Sequence, residues 1–292
     1  MRTILLTGAT GFLGSHFLHE LLRDDQNKLI ITKFHDIHMN RLSDIESQLT
    51  VINLGLSDWV QRLSDNNIDI IIHLATNYGR SEEDLDTIME ANFHFPVKLL
   101  DFAVNNNVKY FINTDTSLPK EINNYALTKK RFLKELKSRQ DRIKVVNMVL
   151  EHFFGPNDGK FVSNMMALLI NKVDKIDLST GTPKRDFLHY GDIINAYKVV
   201  LNSLDSFDKK FMEFEVGSGV NYSIREVMEL MKKISGNKNT ILNWGAIPQR
   251  DSELMESNVS MDGLKSLGWK PSCSLEEGID LMLKKMNAED IY

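Results

Sequence analysis

The sequence is poor in cysteine, in long apolar runs and in basic residues relative to acidic ones. Cys273 is the one cysteine among 292 residues, which excludes an intrachain disulfide and a cysteine-based metal site and suits a reducing compartment. No apolar stretch approaches the ~18 residues of a membrane span, and the N-terminal run is too short for a signal peptide. With a formal net charge of −5, we expect no nucleic-acid or membrane partner and a cytoplasmic protein.

Short β-rich runs alternate with helical patterns through the first half of the chain. Continuous apolar strands separated by helices predict a parallel sheet covered on both faces, and right-handed crossovers would make it a doubly wound (Rossmann) α/β fold. The predicted strands are 3–7, 28–32, 49–54, 69–75, 109–114 and 143–150, and the predicted helices are 12–23, 57–65, 82–106 and 122–139.

The pattern is less regular after about residue 150. Helices are predicted near 161–171, 192–204, 223–235 and 275–287, with a strand at 211–216. We therefore predict a doubly wound domain over 1–155, to which the segment 187–205 returns, and a smaller mixed substrate-binding lobe over 156–292.

A glycine loop, Gly8, Gly11 and Gly14, follows the first strand and runs into the first helix. The glycines permit a tight turn, close approach of a pyrophosphate and close helix packing, while the helix N-terminus offers free N–H groups. A ligand-free turn is the alternative, and the strand–loop–helix context makes it the weaker one. The loop predicts a dinucleotide site.

The end of the second strand bears on which dinucleotide is bound. Thr32 and Lys33 stand where a carboxylate would bind the ribose 2′-OH of NAD. An ammonium and a hydroxyl can hold a 2′-phosphate, so NADP(H) is favoured and NAD(H) stays possible. Arg41 could assist, or it could be an exposed helix residue.

Tyr125 and Lys129 lie four residues apart on a predicted helix and therefore share one face. A nearby cation lowers the pKa of a phenol and so suits it for proton transfer. Thr114, at the carboxyl end of the preceding strand, would add a hydroxyl. An ordinary surface helix is the alternative, because this spacing is common by chance.

The motifs together resemble the extended short-chain dehydrogenase/reductase family along nearly the whole chain. They include "TGATGFLGSH", "IIHLA", "YALTK", "FFGPND" and "RDFLHYGD". The resemblance implies a catalytic triad of Thr114, Tyr125 and Lys129, and it implies Asn92 near the active site unless Asn92 is plain helix surface. The implied cofactor site comprises Gly8, Thr10, Gly11, Phe12, Leu13, Thr32, Lys33, Leu74, Ala75, Thr76, Asn92, Tyr125 and Lys129.

Further motifs, "NTDT" and "GAIPQRDSELM" among them, are similar to those of sugar-nucleotide 4-ketoreductases of O-antigen biosynthesis. This similarity implies a nucleotide-diphosphate sugar as substrate. Arg185 and Arg250 would hold its diphosphate, unless each forms an ion pair with the aspartate that follows it. The other implied substrate-binding residues are Asn77, Tyr78, Thr116, His152 and Lys160. The resemblance also implies a homodimer through helices near 83–106 and 122–139. The histidines show no metal-ligand spacing, so no metal is expected.

Reduction of a 4-keto sugar competes with three alternatives. A 4,6-dehydratase needs an Asp-Glu pair after the threonine, but Thr116 follows Asp115 here. A 4-epimerase usually retains NAD, against which Thr32 and Lys33 argue moderately. An NADP(H)-sensing regulatory protein would commonly lose the tyrosine or the lysine, and this chain keeps both. We therefore predict a net reduction of a C4 keto group in a nucleotide-linked deoxysugar.

Overall fold

The computed structural model describes residues 1–34, 37–79, 83–249 and 253–289. The chain divides into two compact units. The first comprises Met1–Val149 with Leu201–Phe214, and the second comprises Leu150–Val200 with Glu215–Tyr292. Within the described ranges, no helix combines the length and the apolar character needed to cross a membrane.

Strands and helices alternate regularly through the first 150 residues. In chain order they are β1 (Arg2–Thr7), α1 (Phe12–Leu22), β2 (Asn27–Lys33), β3 (Thr50–Asn53), α2 (Trp59–Ser64), β4 (Ile70–His73), α3 (Leu85–Met89), a π-helix (Glu90–His94), α4 (Phe95–Asn105), β5 (Tyr110–Thr116), α5 (Asn124–Ser138) and β6 (Lys144–Leu150). These bounds confirm the strands and helices predicted there.

Further strands and helices follow. They are β7 (His152–Phe154), α6 (Phe161–Ile170), β8 (Lys175–Leu178), β9 (Lys184–His189), α7 (Tyr190–Ser203), β10 (Phe211–Val216), β11 (Asn221–Ser223), α8 (Ile224–Ile234), β12 (Ile241–Trp244), α9 (Asp262–Ser266) and α10 (Leu275–Glu289). Short 3₁₀ turns occur at Asn40–Leu42, Glu46–Gln48 and Leu204–Ser206.

The first unit is built on a seven-stranded parallel sheet, which confirms the predicted doubly wound fold. Its strand order is β10-β6-β5-β4-β1-β2-β3. The order reverses between β1 and β4, which pair with each other in parallel. Ligands of such folds bind outside the carboxyl ends of the strands at this reversal. The glycine loop follows β1 directly and therefore lies at that place.

Apolar strands and helix faces form the core of the first unit. Leu5, Ile30, Ile71 and Phe111 of the central strands are fully buried and belong to one cluster with residues of α4 and α5. Strands buried on both faces require covering helices, because each apolar side chain removed from water stabilises the fold by about 1.5–3 kcal/mol.

The second unit has a different architecture. A three-stranded sheet of order β11-β9-β7 is mixed, since β11 runs antiparallel to β9 and β7 runs parallel to it. A two-stranded sheet pairs β12 with β8 in parallel. The core contains several methionines on helices, among them Met166, Met228 and Met282. The sheets confirm the smaller mixed lobe that the sequence predicts.

Candidate active site

The glycine loop leaves no space for side chains at two of its three glycines. Gly8 has a φ of +71°, and a Cβ there would lie 2.6 Å from the backbone nitrogen of Ala75. A Cβ on Gly14 would lie 2.1 Å from the carbonyl oxygen of Gly8. The loop can therefore pack against both the end of β4 and the first turn of α1 only with glycine at these positions.

Gly11 has a different role from its neighbours. A Cβ at Gly11 would approach only the Gly8 oxygen, at 3.3 Å, and Gly11 itself is exposed. It is the N-cap residue of α1, and no side chain caps that helix. Free N–H groups and a positive helix end suit a phosphate, so the loop fits the pyrophosphate of a dinucleotide.

The other residues predicted for the cofactor flank this loop. Leu13 and Leu74 are buried, whereas Thr10, Phe12, Ala75 and Thr76 are half-buried. The Ala75 N–H donates to Thr7 Oγ1, and the same oxygen lies 2.8 Å from Nδ1 of His73. Burial, together with the positive charge of Lys129, holds the pKa of His73 well below its usual value, so His73 is neutral.

Tyr125 and Lys129 share the buried face of α5. Tyr125 is 9 % exposed and Lys129 is 2 % exposed, so the surface-helix alternative is wrong. Lys129 Nζ donates to the carbonyl oxygen of Thr114 over 2.9 Å. The ring of Tyr78 lies over that of Tyr125, with 5.1 Å between the ring centroids. The three residues predicted as a triad therefore belong to one corner of the unit, where β5 ends and α5 begins.

Burial governs the charge state of Lys129. It lowers the pKa of the ammonium to about 8, while Asp115 raises this pKa and Lys120 lowers it further. A lysine with such a pKa suits a site of proton transfer, because small changes in nearby charge alter its protonation. Thr114, which supplies the carbonyl, is half-buried.

Asn92 lies in the π-helix, and it is 1 % exposed, so the helix-surface alternative for it is wrong. Its Oδ1 accepts from Thr76 Oγ1 at 3.0 Å and from the Asn77 N–H at 2.8 Å. Its Nδ2 donates to the Asn77 carbonyl at 2.8 Å and to Thr128 Oγ1 at 3.2 Å. Asn92 thus joins the loop after β4 to α5. The side-chain oxygen of Asn77 also accepts from the Gly79 N–H, which closes a turn around Tyr78.

The end of β2 presents one buried and one accessible side chain. Thr32 is 4 % exposed, and Lys33 is half-buried with its Nζ 3.4 Å from the Ile37 carbonyl. Arg41 is exposed, and its guanidinium carbon lies 5.9 Å from the centroid of the Phe12 ring. Phe12 is the first residue of α1, so Arg41 brings a cation to the N-terminal end of that helix.

The segment after Thr114 contains an ion pair that the sequence reasoning missed. Asp115 is 2 % exposed, and its Oδ1 lies 2.7 Å from Nζ of Lys120. Its Oδ2 accepts from Asn147 Nδ2 at 3.3 Å. Thr116 is buried as well, and its Oγ1 accepts from the N–H of Leu118. A lysine in a loop carries no motif, which is why the sequence did not reveal this pair.

In the second unit, Arg185 is 6 % exposed and pairs with Glu253. It also donates to the Lys184 carbonyl over 2.7 Å. Burial lowers the pKa of Arg185, and Glu253 and Glu151 oppose this effect. The carboxylate that sequence reasoning offered as its partner, Asp186, has other contacts.

Asp186 organises a glycine loop of the second unit. It is 2 % exposed, and its Oδ1 accepts from the N–H and the hydroxyl of Ser218 at 2.8 and 2.6 Å. Its Oδ2 accepts from the Gly219 N–H at 2.7 Å. A Cβ on Gly217 would lie 2.6 Å from that carboxylate, so the loop closes around it. Burial raises the pKa of Asp186 despite these hydrogen bonds.

Two more residues predicted for the substrate, His152 and Lys160, lie in the second unit. His152 is half-buried, with Nδ1 3.2 Å from Oε2 of the buried Glu151. Nζ of Lys160 lies 3.0 Å from the centroid of the Phe153 ring. Arg250 and Asp251 lie outside the described residues.

A family model described as the NAD dependent epimerase/dehydratase family matches residues 4–217, which is most of the chain. The chain belongs to this family. This finding confirms the resemblance to extended short-chain dehydrogenases/reductases. The family depends on a nicotinamide dinucleotide, in agreement with the fit of the glycine loop.

Two similar proteins align with almost the whole length of this chain. CDP-abequose synthase of Salmonella typhimurium is 32% identical over 301 residues, covering 97% of this chain and 98% of the relative. A putative UDP-glucose 4-epimerase of Methanocaldococcus jannaschii is 23% identical over 309 residues, covering 97% of this chain and 98% of that protein.

Among solved structures, the UDP-glucose 4-epimerase of Thermotoga maritima with UDP-glucose matches with a TM-score of 0.86 at 18% identity, and each chain is covered completely. A UDP-glucose 4-epimerase of Thermus thermophilus in complex with NAD matches with a TM-score of 0.81 at 20% identity, covering 98% of this chain and 99% of that one. At these identities the structures support the fold.

Proposed function

We propose that this protein reduces the C4 keto group of a nucleotide-linked 4-keto-6-deoxyhexose, which could also lack the 3-hydroxyl, with NADPH as reductant. The observation that carries the proposal is the buried corner of β5 and α5: Tyr125 and Lys129 share the buried face of α5, and Lys129 donates to the Thr114 carbonyl. The 32% identity to a CDP-abequose synthase supports a nucleotide sugar as the substrate class.

In the proposed step, the C4 carbon gains a hydride while the carbonyl oxygen gains the phenol proton of Tyr125. The nicotinamide cofactor, when bound, supplies that hydride. The Thr114 hydroxyl donates a hydrogen bond to the same oxygen and orients it. The Lys129 ammonium stabilises the phenolate that Tyr125 becomes, and solvent then returns the proton to the phenol. The glycine loop and Lys129 would hold the cofactor.

The dehydratase alternative is disfavoured by the environment of Asp115. A carboxyl that protonates a leaving hydroxyl must first carry a proton itself. Asp115 Oδ1 instead lies 2.7 Å from the Lys120 ammonium and accepts from the Thr116 N–H at 2.8 Å, so two donors already occupy this oxygen. Thr116 offers no base beside it.

A second candidate function, epimerisation at C4 with retained NAD, is favoured by the solved 4-epimerases that share the fold. The two reactions differ in their use of reductant, because an epimerase returns its hydride to the sugar. Net oxidation of NADPH with a 4-keto substrate supports reduction. Interconversion of C4 epimers without NADPH oxidation would support the epimerase. A regulatory protein that senses NADP(H) would bind the cofactor and do neither.

The deciding experiment follows NADPH absorbance with CDP-, dTDP-, UDP- and GDP-linked 4-keto-6-deoxyhexoses, with product stereochemistry assigned by NMR. Tyr125→Phe should lower kcat by about 10²- to 10⁴-fold and leave NADPH binding nearly unchanged, since only the transferable proton is removed. Tyr222→Phe, in β11 of the second unit, is the matched control and should keep wild-type kcat. Full activity of Tyr125→Phe would exclude the proposed proton donor.

We base the proposed preference for NADPH over NADH on two cationic side chains. Lys33 ends β2, and Arg41 lies over Phe12 at the start of α1. Both could pair with a 2′-phosphate, which NADH lacks. Arg41→Ala should reduce the ratio of kcat/KM for NADPH to that for NADH by about tenfold, or roughly 1.4 kcal/mol. An unchanged ratio in Arg41→Ala and in Lys33→Ala would favour NAD(H).

The homodimer is likewise a proposal, drawn from the family resemblance and assigned to helices near 83–106 and 122–139. Light scattering of the purified protein would give its mass in solution. A mass of twice 33.5 kDa supports the dimer, and a mass of 33.5 kDa contradicts it.

A further inference from the structure

The loop between β5 and α5 contains a charged contact whose position bears on the reaction centre. Lys120 Nζ lies 2.7 Å from Asp115 Oδ1 and 2.9 Å from the Thr116 carbonyl oxygen. Asp115 also accepts from the Thr116 N–H at 2.8 Å. One lysine therefore binds the side chain of one residue and the backbone of the next, directly after Thr114.

Asp115 competes with the Thr114 carbonyl for the ammonium of Lys129. The carbonyl that holds Lys129 belongs to Thr114, the residue just before Asp115, and the negative charge of Asp115 acts on Lys129. Asp115 is almost completely buried, so its charge is poorly screened by solvent. A buried carboxylate without its own counterion would draw a neighbouring ammonium towards it.

We propose that Lys120 is a positioning residue for the reaction centre: it neutralises Asp115 and so keeps the Lys129 ammonium on the Thr114 carbonyl. The inference rests on the proposed reduction, in which Lys129 serves Tyr125. Lys120 binds the Asp115 carboxylate and the Thr116 carbonyl, and its effect on Lys129 passes through Asp115. Its side chain is 24 % exposed, so solvent reaches the pair from the side of Lys120.

The charges around Lys129 come from three elements and one loop. His73 of β4 is neutral, as its lowered pKa requires. Asp115 of β5 and Lys120 of the following loop act on Lys129 with opposite signs. Tyr125 precedes it by one turn of α5. Removing Lys120 alone therefore leaves one uncompensated negative charge, whereas removing Lys120 and Asp115 together leaves the net charge unchanged.

The direct test observes Lys129 by NMR of protein labelled with ¹³C and ¹⁵N in lysine side chains, without cofactor or substrate. The Lys129 resonance is assigned as the one missing from Lys129→Met. In Lys120→Met its titration midpoint should move upward by about 1 to 3 pH units, because an opposite charge favours the ammonium. In Lys120→Met/Asp115→Asn the midpoint should return towards that of the wild type, near 8.

Activity gives a second readout with the same variants. Lys120→Met should lower kcat by about tenfold or more with KM for NADPH within threefold, and adding Asp115→Asn should restore most of the loss, as expected for coupled neighbours. Lys120→Arg should stay close to wild type. Lys130→Met is the matched control, because Lys130 is a half-exposed lysine that pairs with Glu121 on the surface, and it should change neither the midpoint nor kcat.

Several outcomes would overturn the inference. One is a Lys129 midpoint unmoved in Lys120→Met, and another is a double variant no closer to wild type than the single one. Thermal melts identify a variant that merely fails to fold, and the double variant, which leaves no unpaired carboxylate at position 115, then decides. The NMR midpoint needs no substrate. A shifted midpoint alongside an active Tyr125→Phe would therefore retain the role of Lys120 and reject the proposed reaction.

Discussion

The two units bury their cations in different surroundings. In the first unit, Lys129 is 2 % exposed and its ammonium donates to a neutral carbonyl. In the second, Arg185 is 6 % exposed and its guanidinium pairs with the carboxylate of Glu253. Burial lowers the pKa of both groups, but only for Lys129 does the value reach about 8, within the range where proteins work.

The difference separates two uses of a buried charge. A buried cation that is paired with a carboxylate is compensated. Removing the cation leaves that carboxylate buried without a partner, at the full cost of its desolvation. A cation held by a carbonyl is poorly compensated, and it is retained at a cost in stability. Groups kept at such a cost cluster at reaction sites. The comparison therefore predicts opposite signs for the effect of removing each cation on stability.

The largest expected effect is that of Arg185→Met. The change leaves Glu253 and the buried Glu151 without their cation, so the free energy of unfolding should fall by about 3 kcal/mol. Urea unfolding at pH 7 measures it. Lys284→Met, which removes an exposed pair with Asp280, should change stability by less than about 1 kcal/mol. Unchanged stability of Arg185→Met would contradict the comparison.

Asp186→Asn should have the next largest effect. An amide oxygen can still accept the two hydrogen bonds of Ser218, but an amide nitrogen would face the Gly219 N–H, donor against donor. We expect a loss of about 2 kcal/mol, the cost of one buried donor left without an acceptor. Asp280→Asn, at an exposed position, is the control. Equal stabilities of the two variants would show that the loop does not depend on this carboxylate.

The sequence predicted the first unit better than the second for a physical reason. Long apolar strands alternating with helices, as in β1, α1 and β2, give two clear periodicities that survive without tertiary contacts. The strands β7 and β11 have three residues each, which is too few for a hydrophobic periodicity of their own. Such strands form because partners elsewhere in the chain are available.

The candidate site shows the same division. Tyr125 and Lys129 could be paired from sequence because four residues on a helix fix a common face. The contacts of Asp115 with Lys120 and of Asn92 with Thr128 depend on how loops return, which no spacing encodes. Arg185 was predicted to bind the substrate diphosphate or to pair with Asp186, and its partner Glu253, 68 residues away in the chain, could not be inferred.

Lys129→Met should stabilise the protein while it abolishes activity. The folded pKa is about 8, whereas an ordinary lysine has 10.5, so below pH 8 the buried charge costs at most about 3 kcal/mol. Loss of the hydrogen bond to Thr114 reduces the net gain to about 1–2 kcal/mol at pH 7.

The pH dependence fixes the sign of that prediction. Between pH 8 and 10.5 the unfolded chain keeps the lysine proton that the folded protein has lost, so wild-type stability rises with pH relative to the variant. The advantage of Lys129→Met, measured by urea unfolding, should shrink from pH 7 to pH 10. If Lys129→Met is less stable than wild type at pH 7, the Lys129 charge is compensated to the same degree as the Arg185 charge.

The smallest expected effect compares one helix cap in each unit. Asn123 caps α5 by accepting from the Ala126 N–H at 2.8 Å, and Ser223 caps α8 in a capping box with Glu226. Replacing either with alanine should cost about 1 kcal/mol of stability. The effects on catalysis should differ, because Tyr125 lies in the first turn of α5. Asn123→Ala should lower kcat several-fold, and Ser223→Ala should leave it unchanged. Equal kcat in the two variants would show that the first turn of α5 holds Tyr125 without its cap.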